Sequence, residues 1–230
     1  HPEMLTVQSV FGRLKVFESS IDEARDCYPL PEWINGMPSY SLWWMIIIHD
    51  WVVYTGDRTY LEANAEYLKG ITSQAADCVT PDGKLIFPSY FIDWPNHDTP
   101  AEKEGVKALA VIALNKASKL LDILGDTVLS EKASSAAQRL LNAGADCSGS
   151  KSTQAMAWLA GFDGDEKTAA ILLEGGAKGV STFFSYYILT ALFGSGKKEE
   201  ALDILKEYYG GMLKMGATTF WEDFNIEWLK

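Results

Sequence analysis

Three glycine–aspartate pairs punctuate the chain and constrain its fold more than any other feature. They lie at Gly56-Asp57, Gly125-Asp126 and Gly164-Asp165. Glycine readily takes the left-handed conformation that ends a helix, and an aspartate directly after it can cap the next helix. Such pairs indicate helical hairpins, in which two antiparallel helices are joined by a short turn.

The spacing of apolar residues between these turns is helical. In segment 104–124 they recur at steps of three and four, which is typical of an amphipathic helix. Applied to the whole chain, this pattern predicts about nine helices. They lie near residues 3–18, 38–55, 58–79, 100–124, 127–145, 152–161, 165–175, 181–193 and 197–214. Segment 83–94 alternates apolar residues with polar residues or prolines, which indicates extended chain between two hairpins.

Two of the predicted helices differ from the rest in being apolar on more than one face. They cover residues 40–53 and 183–193, and a helix of this kind must be covered on all sides. Segment 197–214 has a clear polar face instead and is typical of an outer helix. Inner helices ringed by outer helices form an α/α toroid, whose loops carry the functional residues. We therefore expect a single all-α domain over residues 1–230.

Composition and charge exclude several classes of function. The 31 acidic and 20 basic residues give a net charge of -11, which repels a phosphate backbone, so no nucleic-acid partner is expected. No run of about 18 apolar residues is present, so no membrane partner is expected either. The three histidines are not spaced as metal ligands, and we expect neither a metal nor another cofactor. His49 lies in an apolar helix and is better explained as a core residue. The cellular location is left open between periplasm, exterior and cytoplasm.

Tryptophans stand beside carboxylates in two predicted loops, and this is the strongest functional pattern. The pairs are Asp93-Trp94, within segment 91–98, and Trp221-Glu222, within segment 216–223. Glycoside cleavage requires acidic side chains at the scissile bond, and the sugar ring needs a flat surface on which to stack. A structural role is the alternative, with the aspartate capping a turn and the glutamate on a solvated helix start.

A third aromatic segment, residues 33–40, runs into the apolar helix that follows it. Helical geometry places Tyr40, Trp43 and Trp44 on adjoining faces. Core packing is the favoured explanation for each of these rings taken singly, and Asn35 is equally well explained as a turn residue.

At these segments the sequence resembles the α-L-rhamnosidases of glycoside hydrolase family 78. The resemblance is strongest from Gly216 to Glu222, where GATTFWE is similar to the family's motif around its catalytic base. It extends through residues 184–187 and 208–211 and covers essentially the whole chain. The resemblance implies an (α/α)6 six-hairpin toroid that releases terminal α-L-rhamnose from glycosides or polysaccharides with inversion, and a carbohydrate as the substrate.

The resemblance also implies roles for individual residues. Glu222 is expected to be the base that activates water. The expected substrate-binding residues are Asn35, Trp43, Asp93, Trp94 and Trp221. Trp94 corresponds to a sugar-stacking position and Trp43 to another pocket aromatic, whereas Asn35 stands where many family members carry an aspartate.

The sequence departs from the family pattern in two ways, and both limit the function that we expect. The family's general acid lies on the N-terminal side of the region resembled, and nothing in residues 1–12 reproduces its motif. The final helices of the family also lie beyond residue 230, so about nine of twelve helices are expected here. We therefore expect the middle part of a catalytic domain, an incomplete toroid whose open edge is covered by flanking segments or by a second copy.

Two other functional hypotheses remain at this stage. One is a non-catalytic carbohydrate-binding or interaction module that lacks the general acid. The other is an unrelated α/α toroid enzyme that acts on an isoprenoid or a uronate, which rests on analogy of fold alone.

Overall fold

The computed structural model describes residues 1–94, 97 and 99–230, and within them the chain is helical without any strand. Eleven α-helices are present in this part of the chain. They are α1 (Pro2–Phe11), α2 (Lys15–Asp26), α3 (Pro38–Thr55), α4 (Arg58–Ala63), α5 (Ala65–Asp77), α6 (Pro100–Leu124), α7 (Thr127–Asn142), α8 (Lys151–Ala160), α9 (Asp165–Leu173), α10 (Thr182–Gly194) and α11 (Lys198–Lys214). The predicted all-α class is confirmed. In the described residues, no helix has the length and apolar character required to cross a bilayer.

The helix count exceeds the predicted nine because two predicted helices are each interrupted. Gly12, with φ 71°, ends α1 in the left-handed region, so segment 3–18 contains α1 and only the start of α2, which continues past the predicted end to Asp26. Asn64 separates α4 from α5, and its side-chain amide bonds both the Tyr60 carbonyl oxygen and the Arg25 guanidinium. Asparagine competes for backbone groups in this way, which explains the break that apolar spacing alone did not reveal.

The glycine–aspartate pairs act as predicted at two of three turns. Gly56 and Gly125 have positive φ, and the aspartates after them cap α4 and α7. The third turn is different, because α8 already ends at Gly161, with φ 85°. Asp165 is therefore the first residue of α9 and not its cap. The prediction for this turn is wrong because a nearer glycine took the left-handed position.

The helices group into two compact units. Unit 1 contains residues 1–90 and 109–144, and unit 2 contains residues 91–108 and 145–230. The division falls within α6, between Ala108 and Leu109. The expectation of one domain over the whole chain stays a prediction.

Helix α3 forms the core of unit 1. Its apolar side chains are buried around most of its circumference, including Leu42, Met45, Ile46, Ile48, Trp44 and Trp51. The two buried indoles keep their N–H groups satisfied, because Trp44 donates to the Ile21 carbonyl oxygen and Trp51 to the Glu18 carboxylate. Helices α2, α4 and α5 pack against α3. The apolar character of this helix on more than one face therefore predicted correctly that its neighbours cover it.

Asp50, near the end of α3, joins a cluster of cationic and imidazole groups in unit 1. Its carboxylate bonds His1 Nε2 at 2.7 Å and His49 Nδ1 at 2.6 Å, and it accepts a bond from Lys116. Burial alone would raise the pKa of Asp50, but the bonds from His49 and Lys116 outweigh it and hold the pKa below its ordinary value of 3.8. His49 is 9% exposed and bonded, which confirms the prediction of a satisfied core histidine.

We expect Asp50→Asn to lower the free energy of unfolding by about 1.5–3 kcal/mol near neutral pH, because bonds to a charged group are lost. A carboxylate with a depressed folded pKa stabilises above its unfolded pKa, and this contribution disappears as the pH falls through the folded pKa. The difference from wild type should therefore shrink below about pH 4. Urea titrations at neutral and acidic pH measure it, with the exposed Asp203→Asn as control. A difference that is equal at both pH values would contradict the assignment.

Unit 2 is built around α10, which packs against α8, α9 and α11. The first part of α6 also belongs to this unit, and Gly105 permits its close approach to α8. A Cβ atom at Gly105 would lie 2.6 Å from Cγ2 of Thr153. The start of α10 faces the two loop segments that contain the predicted sugar-site residues of this unit, as the contacts below show.

Candidate functional site

The start of α10 is set by a side-chain cap. Ser181 precedes the helix in an extended conformation, and its hydroxyl oxygen accepts a bond from the Phe184 backbone N–H at 3.3 Å. The same hydroxyl donates to Oδ2 of Asp93 at 2.5 Å. Serine is among the preferred capping residues, so the local sequence explains where this helix begins. The cap also connects the helix to the first of the two predicted sugar-binding loops.

Asp93 lies in a partly buried position, where two other carboxylates influence its charge state. Burial raises the pKa of Asp93, and the charges of Asp223 and Glu222 raise it further, against the lowering effect of the bonds from Ser181 and Trp94. Like charges raise the pKa of a carboxyl only when they are near it. Two acids of the predicted motif segment therefore lie within electrostatic range of Asp93.

The segment that carries Glu222 follows α11 and is fixed on both sides of the glutamate. On one side, the carbonyl oxygen of Trp221 accepts a bond from Thr182 Oγ1 at 2.5 Å. On the other, Phe224 is fully buried, with its ring 5.3 Å from that of Tyr208. The Glu222 side chain itself is exposed, so it can meet water and a ligand.

Trp94 presents an open aromatic surface beside Asp93. Its side chain is 60% exposed, and its ring meets Phe91 and His97 edge-on, at 5.0 Å and 5.9 Å between centroids. An indole with this much exposed surface offers apolar area on which a sugar ring can stack. Trp221, by contrast, is half-buried and contacts the ring of Phe224 at 6.1 Å. Pro95, Asn96 and Asp98 of this loop lie outside the described residues.

The two remaining predicted residues belong to unit 1. Asn35 is exposed in a short turn over Ile34–Gly36, with φ 52°, a conformation that asparagine tolerates better than most residues. Trp43 is partly exposed on α3, and its ring stacks with His1 at 6.0 Å and 22°. Asn35 thus has the geometry of the turn residue that was the structural alternative, and the role of both residues in sugar binding stays a prediction.

Sequence reasoning did not single out Ser181 and Thr182, and it noted Tyr208 and Tyr209 only as part of the family resemblance. Ser181 and Thr182 are hydrogen-bonded to the two loop segments. The hydroxyls of Tyr208 and Tyr209 in turn bond Thr182 and Ser185. The only local signal was a serine at a helix start, which predicts a cap but not a long-range partner. Among the described residues, no group of three or more histidine, cysteine or acidic side chains is arranged to hold a metal ion.

Comparison with known proteins relates this geometry to solved structures. No family model and no curated protein matches the chain. A crystal structure of a family 78 rhamnosidase from Bacillus sp. GL1 matches with a TM-score of 0.76 and 21% identity, over 96% of this chain and 27% of that one. A rhamnosidase from Klebsiella oxytoca with rhamnose bound matches with a TM-score of 0.69 and 20% identity, over 82% of this chain and 41% of that one.

The chain thus spans less than half the length of either rhamnosidase. At about one-fifth identity the likeness concerns the fold, and activity does not follow from it. The resemblance predicted from the GATTFWE segment and its neighbours is confirmed at this level: the chain has the fold of part of the family 78 rhamnosidase structures.

Proposed function

We propose that the chain contributes the sugar-binding loops and the catalytic base of a glycoside hydrolase that releases terminal α-L-rhamnose with inversion. The observation that carries the proposal is that Asp93, next in sequence to the exposed ring of Trp94, and the backbone of Trp221, next to Glu222, are bonded to adjacent residues at the start of α10. Carboxylates together with an exposed indole suit a sugar ring whose bond is to be hydrolysed. The fold shared with rhamnosidase structures supports rhamnose as the sugar.

In this proposal Glu222 is the general base. Its exposed carboxylate accepts a proton from the water that attacks the anomeric carbon. Asp93 is a binding residue, because its carboxylate is held by Ser181 and retains lone pairs that a sugar hydroxyl can reach. Trp94 stacks on the apolar face of the sugar, and Trp221 sets the backbone next to the base. The sugar-binding roles predicted for Trp43 and Asn35, which belong to unit 1, rest on the family resemblance alone.

Inversion also requires a general acid on the opposite side of the bond, with the two carboxyl groups about 6.5–9.5 Å apart. The proposal assigns that role to no residue of this chain. We therefore expect the chain alone to bind L-rhamnose and to hydrolyse a nitrophenyl rhamnoside weakly or not at all. Calorimetry and a release assay measure the two properties. Normal turnover would show that the acid is present and misassigned, and absence of binding would count against the proposed function.

Trp94→Ala is expected to weaken L-rhamnose binding roughly tenfold, because the stacking surface is removed. The control is Trp158→Ala, which removes a partly exposed tryptophan of the same unit whose indole N–H is bonded to Asp165 on α9, and its affinity should stay close to that of wild type. Calorimetric titration of both variants gives the comparison. Equal affinity in wild type and Trp94→Ala would exclude Trp94 from the site.

A further inference from the structure

Two adjacent hydroxyl residues at the start of α10 connect the two functional segments. Ser181 bonds Asp93, which is 88 positions away in the sequence, and Thr182 bonds the backbone of Trp221, 39 positions away. Neither residue belongs to the aromatic and acidic pattern from which the site was predicted. Both contacts nevertheless end at, or directly beside, a residue of the proposed site.

The hydrogen-bond arrangement gives Ser181 a defined direction. A serine hydroxyl has one proton and can accept bonds at its oxygen. The Ser181 oxygen accepts the bond from the Phe184 N–H and thereby caps α10. The helix itself therefore sets the conformation of the Ser181 side chain. The single proton is then directed to Oδ2 of Asp93. The helix start therefore orients the Asp93 carboxylate.

Thr182 orients the Glu222 segment in a similar way. A carbonyl oxygen can only accept, so Thr182 donates its proton to the carbonyl of Trp221. The Tyr208 hydroxyl, 3.2 Å from Thr182 Oγ1, must then donate to it. Burial above all raises the pKa of Tyr208 to about 12, so the phenol keeps the proton that this requires.

A second chain of hydrogen bonds supports the backbone of Thr182. Ser185 donates to the Thr182 carbonyl oxygen at 2.8 Å, which leaves the Tyr209 hydroxyl as the donor in its 2.6 Å bond with Ser185. The ring of Tyr209 in turn meets that of Phe220 edge-on at 5.3 Å. Every hydroxyl proton in this network thus has one assigned acceptor, which favours a single arrangement of the segment before Glu222.

We propose that Ser181 and Thr182 are positioning residues of the sugar site: Ser181 holds the carboxylate of Asp93, and Thr182 holds the backbone that places Glu222. The inference rests on the proposed function and adds to it the residues that align its two halves. Because a misplacement of about 1 Å can cost up to roughly 10²-fold in rate, such residues affect function without touching the ligand.

The experiment uses the chain labelled with 5-fluorotryptophan and observed by fluorine NMR. Trp94→Phe and Trp221→Phe identify the two reporter resonances. Ser181→Gly, which retains much of the capping propensity but has no hydroxyl, is expected to shift the Trp94 resonance. Thr182→Val, which retains the shape of the side chain, is expected to shift the Trp221 resonance. Ser181→Thr and Thr182→Ser restore a hydroxyl and should return each resonance towards its wild-type position.

Affinity for L-rhamnose, measured by calorimetry, provides the functional arm. Each variant without the hydroxyl is expected to bind about tenfold more weakly, as for a lost hydrogen bond to a positioned group, and each hydroxyl-restoring variant close to wild type. Ser150→Gly is the matched control, since Ser150 caps α8 in the same unit through Thr153 and is not bonded to Asp93. It should lose similar stability while its affinity stays unchanged.

The outcomes distinguish failure of the positioning role from failure of the proposed function. If wild type binds rhamnose and both Ser181→Gly and Thr182→Val bind equally well, the positioning role is overturned and the proposed function stands. Unshifted Trp94 and Trp221 resonances in the variants would overturn it as well. If wild type does not bind rhamnose, the proposed function fails, and the alignment of a sugar site by this pair fails with it.

Discussion

Glu222→Gln is expected to lower the turnover number for rhamnoside hydrolysis by about 10²- to 10⁴-fold, the usual contribution of general acid–base catalysis. The amide preserves the size of the side chain but cannot accept a proton from the attacking water. The measurement requires a protein that contains this chain together with the general acid. Initial rates on a nitrophenyl rhamnoside give the turnover number, and the Michaelis constant should change much less, because the base acts mainly in the transition state.

Glu199→Gln is the matched control for this substitution. Glu199 is an exposed glutamate in the first turn of α11 in the same unit, and its replacement should leave the rate unchanged. Full activity of Glu222→Gln would reject the assignment of the base. A longer protein that binds rhamnose tightly and hydrolyses nothing would instead favour the carbohydrate-binding module, the main alternative to an enzyme.

Phe224→Ala is expected to lower the free energy of unfolding by about 3–5 kcal/mol, because a fully buried aromatic ring is replaced by a cavity. The ring contacts Tyr208 and Trp228 edge-on, at 5.3 Å and 5.9 Å. It also lies so close to α11 that a Cβ atom at Gly211 would be 2.8 Å from its Cζ. Since Phe224 is two residues from Glu222, rhamnose affinity should fall together with stability.

Phe220→Ala provides the comparison for Phe224→Ala within the same segment. Phe220 is 77% exposed and makes one edge contact, with Tyr209, so its loss should cost about 0.5–1 kcal/mol. Urea titrations of the two variants measure the difference, provided that the slopes with denaturant agree. A cost for Phe224→Ala no larger than that for Phe220→Ala would show that the segment is not anchored by its buried ring.

Local signals predicted the fold class well and failed where a single residue overrode the apolar pattern. The spacing in segments 38–55 and 127–145 predicted α3 and α7 closely, and the capping roles of Asp57 and Asp126 were correct. Gly12 and Asn64 interrupted helices whose apolar spacing continues across the break. The first depends on the backbone conformation of Gly12 and the second on the side-chain bonds of Asn64, and periodicity detects neither.

For the candidate site, composition and motif placed the acids beside tryptophans but did not distinguish a binding ring from a packed one. Trp94 proved exposed, and Trp221 proved half-buried against Phe224. Both stand next to a carboxylate in the sequence, so adjacency alone predicted the same role for each. The difference arises from what surrounds each ring in unit 2, and it supports Trp94 as the stacking surface.

The sequence by itself determined that the chain is helical, where most helices begin and end, and which two segments combine acid with indole. These features depend on periodicity, caps and turns, which act over a few residues. Only the tertiary structure decided that Asp93 and the Trp221–Glu222 backbone are bonded to neighbouring hydroxyls on α10, because those contacts join residues 88 and 39 positions apart. Packing of helices brings such residues together, and no local pattern in the chain specifies it.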